Sequence, residues 1–147
     1  QLVISGDSAG IEKACELAKE KGAKRALPLT VAGAYHSRLM ESASTELESA
    51  LREVELNLPM VPVISNVTAK PHATAGEILQ RLVEQVTSSV LWETSIRYLV
   101  EQGFTRFIEL GPGNALTGFM RRIDRDLEVY NISDCESLEK TVNALKQ

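Results

Sequence analysis

An apolar run stops and a helical pattern begins within Val31-Ala32-Gly33-Ala34-Tyr35-His36-Ser37-Arg38-Leu39-Met40, and the rest of the chain is arranged around this junction. Residues 24–31 are typical of a strand. Downstream, apolar residues recur at steps of three and four, which predicts an amphipathic helix over 37–55 with Ser37 as its N-cap. His36 is therefore predicted to lie at the carboxyl end of a strand and beside the start of a helix, where α/β sheets bind ligands.

This predicted position of His36 favours one kind of chemistry. The unpaired N–H groups and partial positive charge of a helix start disfavour the imidazolium form of a neighbouring ring. A neutral imidazole can accept a proton, as a general base must when it activates a serine or a cysteine. The alternative from the residues alone is a histidine that caps the helix or fills a pocket.

The composition excludes several classes of partner. The chain of 147 residues is 44% hydrophobic and carries a net charge of −4 with scattered Lys and Arg, which argues against binding to nucleic acid or to an anionic membrane. No apolar run approaches the roughly 18 residues that span a bilayer, and no signal-peptide pattern is found, so we expect a cytoplasmic protein. Cys15 and Cys135 lie far apart on helical patterns, which indicates neither a disulfide framework nor a metal site.

The order of predicted elements indicates an α/β protein with a mainly parallel sheet. A strand over 2–5, a helix over 8–21 and the strand over 24–31 form a predicted β-α-β unit that leads to His36. The later elements alternate in the same way: a buried strand over 61–66, a helix over 74–86, a helix from Trp92 to Gly103, a buried strand over 104–110, a helix with Leu116, Phe119, Met120 and Ile123 facing the core, a strand over 127–132, and a closing helix with Leu138, Val142 and Leu145.

Two glycine-containing turns invite functional interpretations. Gly6-Asp7-Ser8-Ala9-Gly10 matches the Gly-x-Ser-x-Gly nucleophile elbow, but the helix after it is charged over most of its surface, whereas an elbow helix is usually buried. Asp7 or Ser8 as an N-cap and Gly22 as the C′ residue explain that segment as an ordinary helix. Gly111-Pro112-Gly113-Asn114 lacks the spacing of a phosphate-binding loop, so we predict a tight structural turn.

Four motifs, in order, resemble one enzyme family. They are Gln1-Leu2-Val3-Ile4-Ser5-Gly6, then Gly33-Ala34-Tyr35-His36-Ser37-Arg38-Leu39-Met40, then Val63-Ile64-Ser65-Asn66-Val67-Thr68, and finally Glu109-Leu110-Gly111-Pro112-Gly113-Asn114-Ala115-Leu116-Thr117-Gly118. Together they resemble the malonyl-CoA:acyl carrier protein transacylases over nearly the whole chain.

The resemblance implies a reaction and a set of site residues. In that family, a serine in Gly-His-Ser-x-Gly takes a malonyl group from coenzyme A and passes it to the phosphopantetheine thiol of the acyl carrier protein, with no bound cofactor. By the resemblance, His36 is the catalytic base and acid, and the backbone carbonyl of Gln85 orients its ring. The end of the predicted helix over 74–86 also leaves that carbonyl without a helical partner. Ala34, Tyr35 and Asn66 would lie around the pocket, although Asn66 also fits an Asx turn.

The chain departs from the family pattern in one respect. It contains neither Gly-His-Ser-x-Gly nor the arginine segment that binds the malonyl carboxylate, because in the family both lie in the half that would precede Gln1. The first residue is also not Met. We therefore expect the functional protein to include an amino-terminal half, contiguous or bound as a fragment, and the chain alone to be inactive.

The resemblance also implies a division of the fold. Residues 1–32 would form part of a ferredoxin-like small subdomain, and residues 33–147 would form the C-terminal part of an α/β-hydrolase-like parallel-sheet core. A large side chain at Tyr35 would favour malonyl over methylmalonyl groups, a discrimination worth about 1–3 kcal/mol.

Three further possibilities stay open at this point. Arg121, Arg122 and Arg125 cluster on one side of their helix and could meet an acidic carrier protein, or could form a plain solvated face. A carboxylesterase that uses Ser8 with His36 is a second function. A carrier-protein docking or acyl-binding domain without chemistry is a third.

Overall fold

The computed structural model describes residues 1–146, and the chain divides into two units, Gln1–Leu91 and Trp92–Gln147. The predicted boundary between 32 and 33 follows from the resemblance alone and stays a prediction. The first unit contains α1 (Ser8–Glu20), a 3₁₀ turn (Arg38–Met40), α2 (Glu41–Arg52) and α3 (Ala75–Glu84). The second contains α4 (Trp92–Glu101), β1 (Arg106–Leu110), α5 (Ala115–Ile123), β2 (Glu128–Ile132) and α6 (Cys135–Leu145).

Local capping signals place α1 where the sequence predicts it. The Asp7 side chain accepts a hydrogen bond from the backbone N–H of Gly10 at 2.8 Å, and Gly22 follows the helix with a φ of 89°. Left-handed backbone of this kind is open to glycine at little cost, which explains the stop. No residue of α1 is buried, so the helix is solvated as predicted and does not resemble the buried helix of a nucleophile elbow.

The two strands predicted on either side of α1 are wrong. Residues 2–5 and 24–31 are without a strand ladder in the described part of the chain. Their apolar side chains are exposed: Leu2, Val3, Ile4, Leu27, Leu29 and Val31. A strand needs a neighbour for its N–H and C=O groups as well as an apolar pattern, and residues 1–146 do not provide one here.

The predicted helix over 37–55 begins more tightly than expected and ends earlier. Ser37 caps the 3₁₀ turn, with its Oγ accepting a hydrogen bond from the N–H of Leu39, and α2 continues from Glu41 to Arg52. The helix α2 packs against α3. Buried Ser44 ties the two together, because its hydroxyl donates to the carbonyl of Val83 at 3.1 Å.

The buried strand predicted over 61–66 is also wrong. Only one antiparallel bridge forms, between Ile64 and Pro71, and Val61 and Val63 are exposed. The segment is instead the entry to a turn over 65–70. The helix predicted after it is confirmed as α3, capped by Thr74, whose hydroxyl accepts a hydrogen bond from the N–H of Glu77 at 3.1 Å.

The second unit contains the crossover that the sequence predicts. The strands β1 and β2 pair in parallel with Arg106 opposite Glu128 and Leu110 opposite Ile132, and α5 connects them. Arg106 also forms an ion pair with Glu128 at 2.6 Å. The helices α5 and α6 pack against β2, and α4 packs against α5, with Ile96 and Met120 buried. The parallel α/β class is therefore confirmed.

Several residues predicted to be buried in this unit are exposed. Leu110 at the end of β1 is 76% exposed, and Leu116 on α5 is 39% exposed. Leu138 and Val142, which indicated the closing helix, are exposed on α6 as well. The apolar pattern identified each element correctly, but a pattern cannot show whether the described residues supply enough partners to cover both faces. Both cysteines, Cys15 and Cys135, are free. No described helix is long and apolar enough to cross a membrane.

Candidate active site

His36 stands in a strained turn immediately before Ser37, which caps the 3₁₀ turn that leads into α2. Its φ is 60°, in the left-handed region where a residue other than glycine costs about 1–2 kcal/mol. Ser37 braces this turn, since its hydroxyl donates to the carbonyl of Ala34 at 2.6 Å and accepts from the N–H of Leu39 at 3.3 Å. Strained backbone of this kind persists where surrounding contacts hold it, and it is concentrated at functional positions.

The His36 ring is exposed and bonded at one nitrogen. Its Nδ1 lies 2.8 Å from the backbone carbonyl oxygen of Gln85. A carbonyl oxygen can only accept, so Nδ1 carries the hydrogen of this bond. In the neutral ring, the lone pair is then on Nε2, which can take up a proton and return it. The contact that the resemblance implies between His36 and Gln85 is thus present.

The carbonyl of Gln85 is available because of where α3 ends. Gln85 is the C-cap residue, and a carbonyl in this position has no later N–H within the helix to accept from. The carboxyl end of a helix also carries partial negative charge, which stabilises positive charge nearby. The residues around His36 by themselves predict the start of a helix beside it, and the resemblance adds the Gln85 carbonyl. The structure places the end of α3 against the ring, and its effect on a protonated ring is opposite to that of a helix start.

Asn66 joins the same group of residues. Its side-chain amide nitrogen donates to Oε1 of Gln85 at 3.1 Å. The Asx turn considered as the alternative does not account for this residue, because Ser65 makes the turn: the Ser65 hydroxyl accepts from the N–H groups of Val67 and Thr68. Two amide side chains 19 positions apart carry no periodic signal, so sequence reasoning did not link Asn66 to Gln85.

The other sequence-predicted residues differ in what they contact. Ala34 is half-buried and supplies the carbonyl that Ser37 bonds. Tyr35 is 49% exposed, and its ring lies near Gly33, where an added Cβ would be 3.6 Å from the ring carbon Cζ. Their place in an acyl pocket stays a prediction. Ser8 is the first residue of α1 and is exposed.

The Gly111 to Gly113 turn is structural, as predicted. Gly111 and Gly113 have φ values of 129° and 84°. The N–H groups at the start of α5 point at a side chain of the protein itself, since the Glu109 carboxylate accepts from Leu116 N–H at 3.1 Å and from Thr117 N–H at 2.9 Å. A bond from the Thr117 hydroxyl lowers the pKa of Glu109 most, and the two backbone bonds lower it further. A carboxylate therefore already occupies the place that a phosphate would need.

A second feature of the later unit is basic. Arg121, Arg122 and Arg125 line a groove beside α5 and β2, together with Gly118, Leu127 and Val129. In the described part of the chain, no three His, Cys, Asp or Glu side chains are grouped so that they could hold a metal ion.

Known proteins resemble this chain in sequence over most or all of its length. A malonyl CoA-acyl carrier protein transacylase of Bacillus subtilis (strain 168) is 44% identical over 147 residues, which is 100% of this chain and 46% of the relative. A polyketide biosynthesis malonyl CoA-acyl carrier protein transacylase of the same organism is 46% identical over 129 residues, 87% of this chain and 44% of the relative. A scan against protein-family models found no match.

The solved structures that match this chain are also of malonyl transferases. An acyl-carrier-protein S-malonyltransferase from Bartonella henselae matches with a TM-score of 0.90 and 36% identity, over 97% of this chain and 45% of its own. A malonyl-transacylase solved in complex with its type II PKS acyl carrier protein matches with a TM-score of 0.91 and 35% identity, over 95% of this chain and 45% of its own. The chain thus spans about half the length of the proteins that it matches.

Proposed function

We propose that this chain, which is similar throughout to about half of a malonyl CoA-acyl carrier protein transacylase, supplies the general base and acid of malonyl transfer. The observation that carries the proposal is the 2.8 Å bond between Nδ1 of His36 and the carbonyl of Gln85 in an exposed ring. It fixes the tautomer and leaves Nε2 for proton transfer. Positioned proton transfer of this kind contributes about 10²–10⁴-fold to a rate.

The first half-reaction would load the enzyme. Nε2 of His36 takes the proton of a serine hydroxyl as the serine oxygen attacks the thioester carbonyl of malonyl-CoA. The tetrahedral intermediate then expels the coenzyme A thiolate, which takes that proton from Nε2. The products are a malonyl-serine ester and the free thiol, and the ring is neutral again. The Gln85 carbonyl stabilises the imidazolium that exists between the two proton transfers.

The second half-reaction would reverse the roles of the serine and the thiol. The phosphopantetheine thiol of the carrier protein gives its proton to Nε2 and attacks the serine ester. When the intermediate collapses, the serine oxygen leaves and recovers the proton from Nε2. Malonyl carrier protein and free serine result. A single histidine serves both directions because each half-reaction takes up and returns one proton at the same atom.

The serine and the arginine for the malonyl carboxylate would come from polypeptide outside these 147 residues. The proposal is supported by the relatives, of which this chain covers 46% in the first case. It is also supported by apolar side chains that are largely exposed: Leu2, Met60, Val61 and Leu110, with Met60 102% exposed. Packing of further polypeptide against these side chains would remove their apolar surface from water, which is favourable. In the complete protein, we propose, the α/β-hydrolase-like core and the ferredoxin-like subdomain are completed by that polypeptide.

An acyl carrier protein is the proposed partner. One solved relative was captured with its acyl carrier protein, and Arg121, Arg122 and Arg125 offer a basic surface to an acidic partner. A cytoplasmic location stays a prediction from the sequence.

A serine-directed phosphonate tests the proposal against the alternatives. The isolated chain and the full-length protein are each labelled, and the modified residue is mapped by mass spectrometry. We expect labelling of the full-length protein only, at a serine outside this chain, together with a malonyl adduct at that serine from malonyl-CoA. Labelling of Ser8 in the isolated chain would favour the esterase. A full-length protein with no reactive serine would favour a docking or acyl-binding domain.

A further inference from the structure

We propose that Asn66 is a positioning residue that holds Gln85, and through the Gln85 carbonyl the ring of His36, in the orientation needed for proton transfer. The proposal rests on the function proposed above for His36. It comes from one contact, the hydrogen bond from the Asn66 amide nitrogen to Oε1 of Gln85 at 3.1 Å. Asn66 is exposed, so water could hydrogen-bond its side-chain amide, yet the amide donates to Gln85.

Asn66 can act in this way because its own backbone is held firmly. The turn over 65–70 is closed by two backbone bonds at 2.9 Å, from Ser65 N–H to the Lys70 carbonyl and from Ala69 N–H to the Ser65 carbonyl. Ser65 is 4% exposed, and its hydroxyl accepts from two further N–H groups of the turn. The backbone from which the Asn66 side chain extends is therefore held in place.

Asn66 also holds the segment after α3 at both ends. Its side chain bonds Gln85, where the segment begins, and its backbone carbonyl accepts from the N–H of Leu91 at 2.8 Å, where the segment ends. One residue thereby fixes both ends of 85–91. The Gln85 carbonyl that meets His36 belongs to the first residue of this segment.

The carbonyl of Gln85 needs such support because helix ends fray. After Glu84 the backbone tightens, with Val86 N–H bonded to the Val83 carbonyl and Thr87 N–H to the Glu84 carbonyl. The direction of the Gln85 carbonyl then depends on how the residue itself is held. From outside this helix end, the hydroxyl of Ser44 bonds the Val83 carbonyl and the amide of Asn66 bonds the Gln85 side chain.

The first test is Asn66→Ala in the full-length protein. We expect kcat for malonyl transfer to fall about 2- to 13-fold, the equivalent of one neutral hydrogen bond of about 0.5–1.5 kcal/mol. The KM for malonyl-CoA should not change, because the bond touches Gln85 and not the acyl group. Asn57→Ala, at an exposed loop asparagine, is the matched control and should leave both constants unchanged.

Exchanging carboxylates for amides separates the hydrogen bond from a general packing effect. In Asn66→Asp, the Gln85 amide can rotate and donate to the introduced carboxylate. In Gln85→Glu, the introduced carboxylate can accept from Asn66. Asn66→Asp should therefore recover kcat relative to Asn66→Ala, and Gln85→Glu should lose less kcat than the double variant. The double variant places two acceptors face to face and should lose at least as much as Asn66→Ala, so the two changes are strongly non-additive.

Three results would overturn the proposal: no loss of kcat in Asn66→Ala, a loss that Asn66→Asp does not restore, or additive behaviour of the two carboxylate changes. A parallel His36→Ala variant distinguishes this failure from that of the proposed function. If His36→Ala is severely slowed while Asn66→Ala is not, only the positioning role of Asn66 is wrong. If His36→Ala keeps the parent rate, the proposed function itself is wrong.

Discussion

Substituting Ser37 by alanine should slow catalysis through the backbone of His36. The Ser37 hydroxyl makes two bonds across the turn, at 2.6 Å to the Ala34 carbonyl and at 3.3 Å from the Leu39 N–H, while His36 sits at a φ of 60°. Loss of a serine N-cap costs about 0.5–2 kcal/mol. The strain of a left-handed residue is about 1–2 kcal/mol, so losing the brace allows His36 to relax to an ordinary conformation.

The expected size follows from these energies. If the brace is what keeps His36 in place, about 0.5–2 kcal/mol corresponds to an approximately 2- to 30-fold slower formation of the malonyl-enzyme. The assay is rapid quench of the full-length protein with malonyl-CoA, followed by intact mass spectrometry. The brace makes no contact with substrate in the proposed mechanism, so the concentration dependence of loading should be unchanged.

Two variants control this experiment. Ser37→Thr keeps a capping hydroxyl and should load at close to the parent rate. Ser49→Ala removes an exposed hydroxyl that donates to the Thr45 carbonyl within α2 at 3.1 Å, and it should have no effect. Loading of Ser37→Ala as fast as Ser49→Ala would show that the Ser37 hydroxyl does not hold His36 in place.

Three further predictions concern other parts of the chain. Hydrogen bonds lower the pKa of Glu109 from its ordinary value of about 4.3, so its carboxylate stabilises the fold above that pH and the stabilisation is lost as the pH falls below it. Urea unfolding should therefore show a smaller loss of stability in acid for Glu109→Gln than for the parent, and equal losses would contradict this. Tyr35→Ser should raise kcat/KM for methylmalonyl-CoA relative to malonyl-CoA, by up to the roughly 1–3 kcal/mol that one methyl group allows, and an unchanged ratio in a competition assay would count against a selective role. Reversing the charges of Arg121, Arg122 and Arg125 should raise the KM for acyl carrier protein while leaving loading from malonyl-CoA intact, and an unaltered KM would indicate a plain solvated face.

Features that depend on neighbouring residues were predictable from the sequence. The caps at Asp7 and Ser37 each bond within three residues, so the same short stretch of sequence contains donor and acceptor. The turn after β1 is similar, because its glycines adopt left-handed backbone that other residues avoid. The helices and the parallel β1–α5–β2 crossover followed from these signals together with hydrophobic periodicity.

Features that depend on distant partners were not predictable. The apolar segments over 2–5 and 24–31 have the composition of strands, but pairing requires a neighbour that a local pattern does not reveal. The same limit applies within the site. The predicted end of the helix made the Gln85 carbonyl available, and the resemblance to a family implied that it bonds His36. The bond from Asn66 to Gln85 was found only in the structure.

The most direct measurement is the rate at which the full-length protein and its His36→Ala variant form the malonyl-serine ester, followed by rapid quench and intact mass spectrometry. If Nε2 of His36 takes the serine proton, the variant should load about 10²–10⁴-fold more slowly while keeping its fold by circular dichroism. A folded variant that loads at the parent rate would show that another group moves the proton.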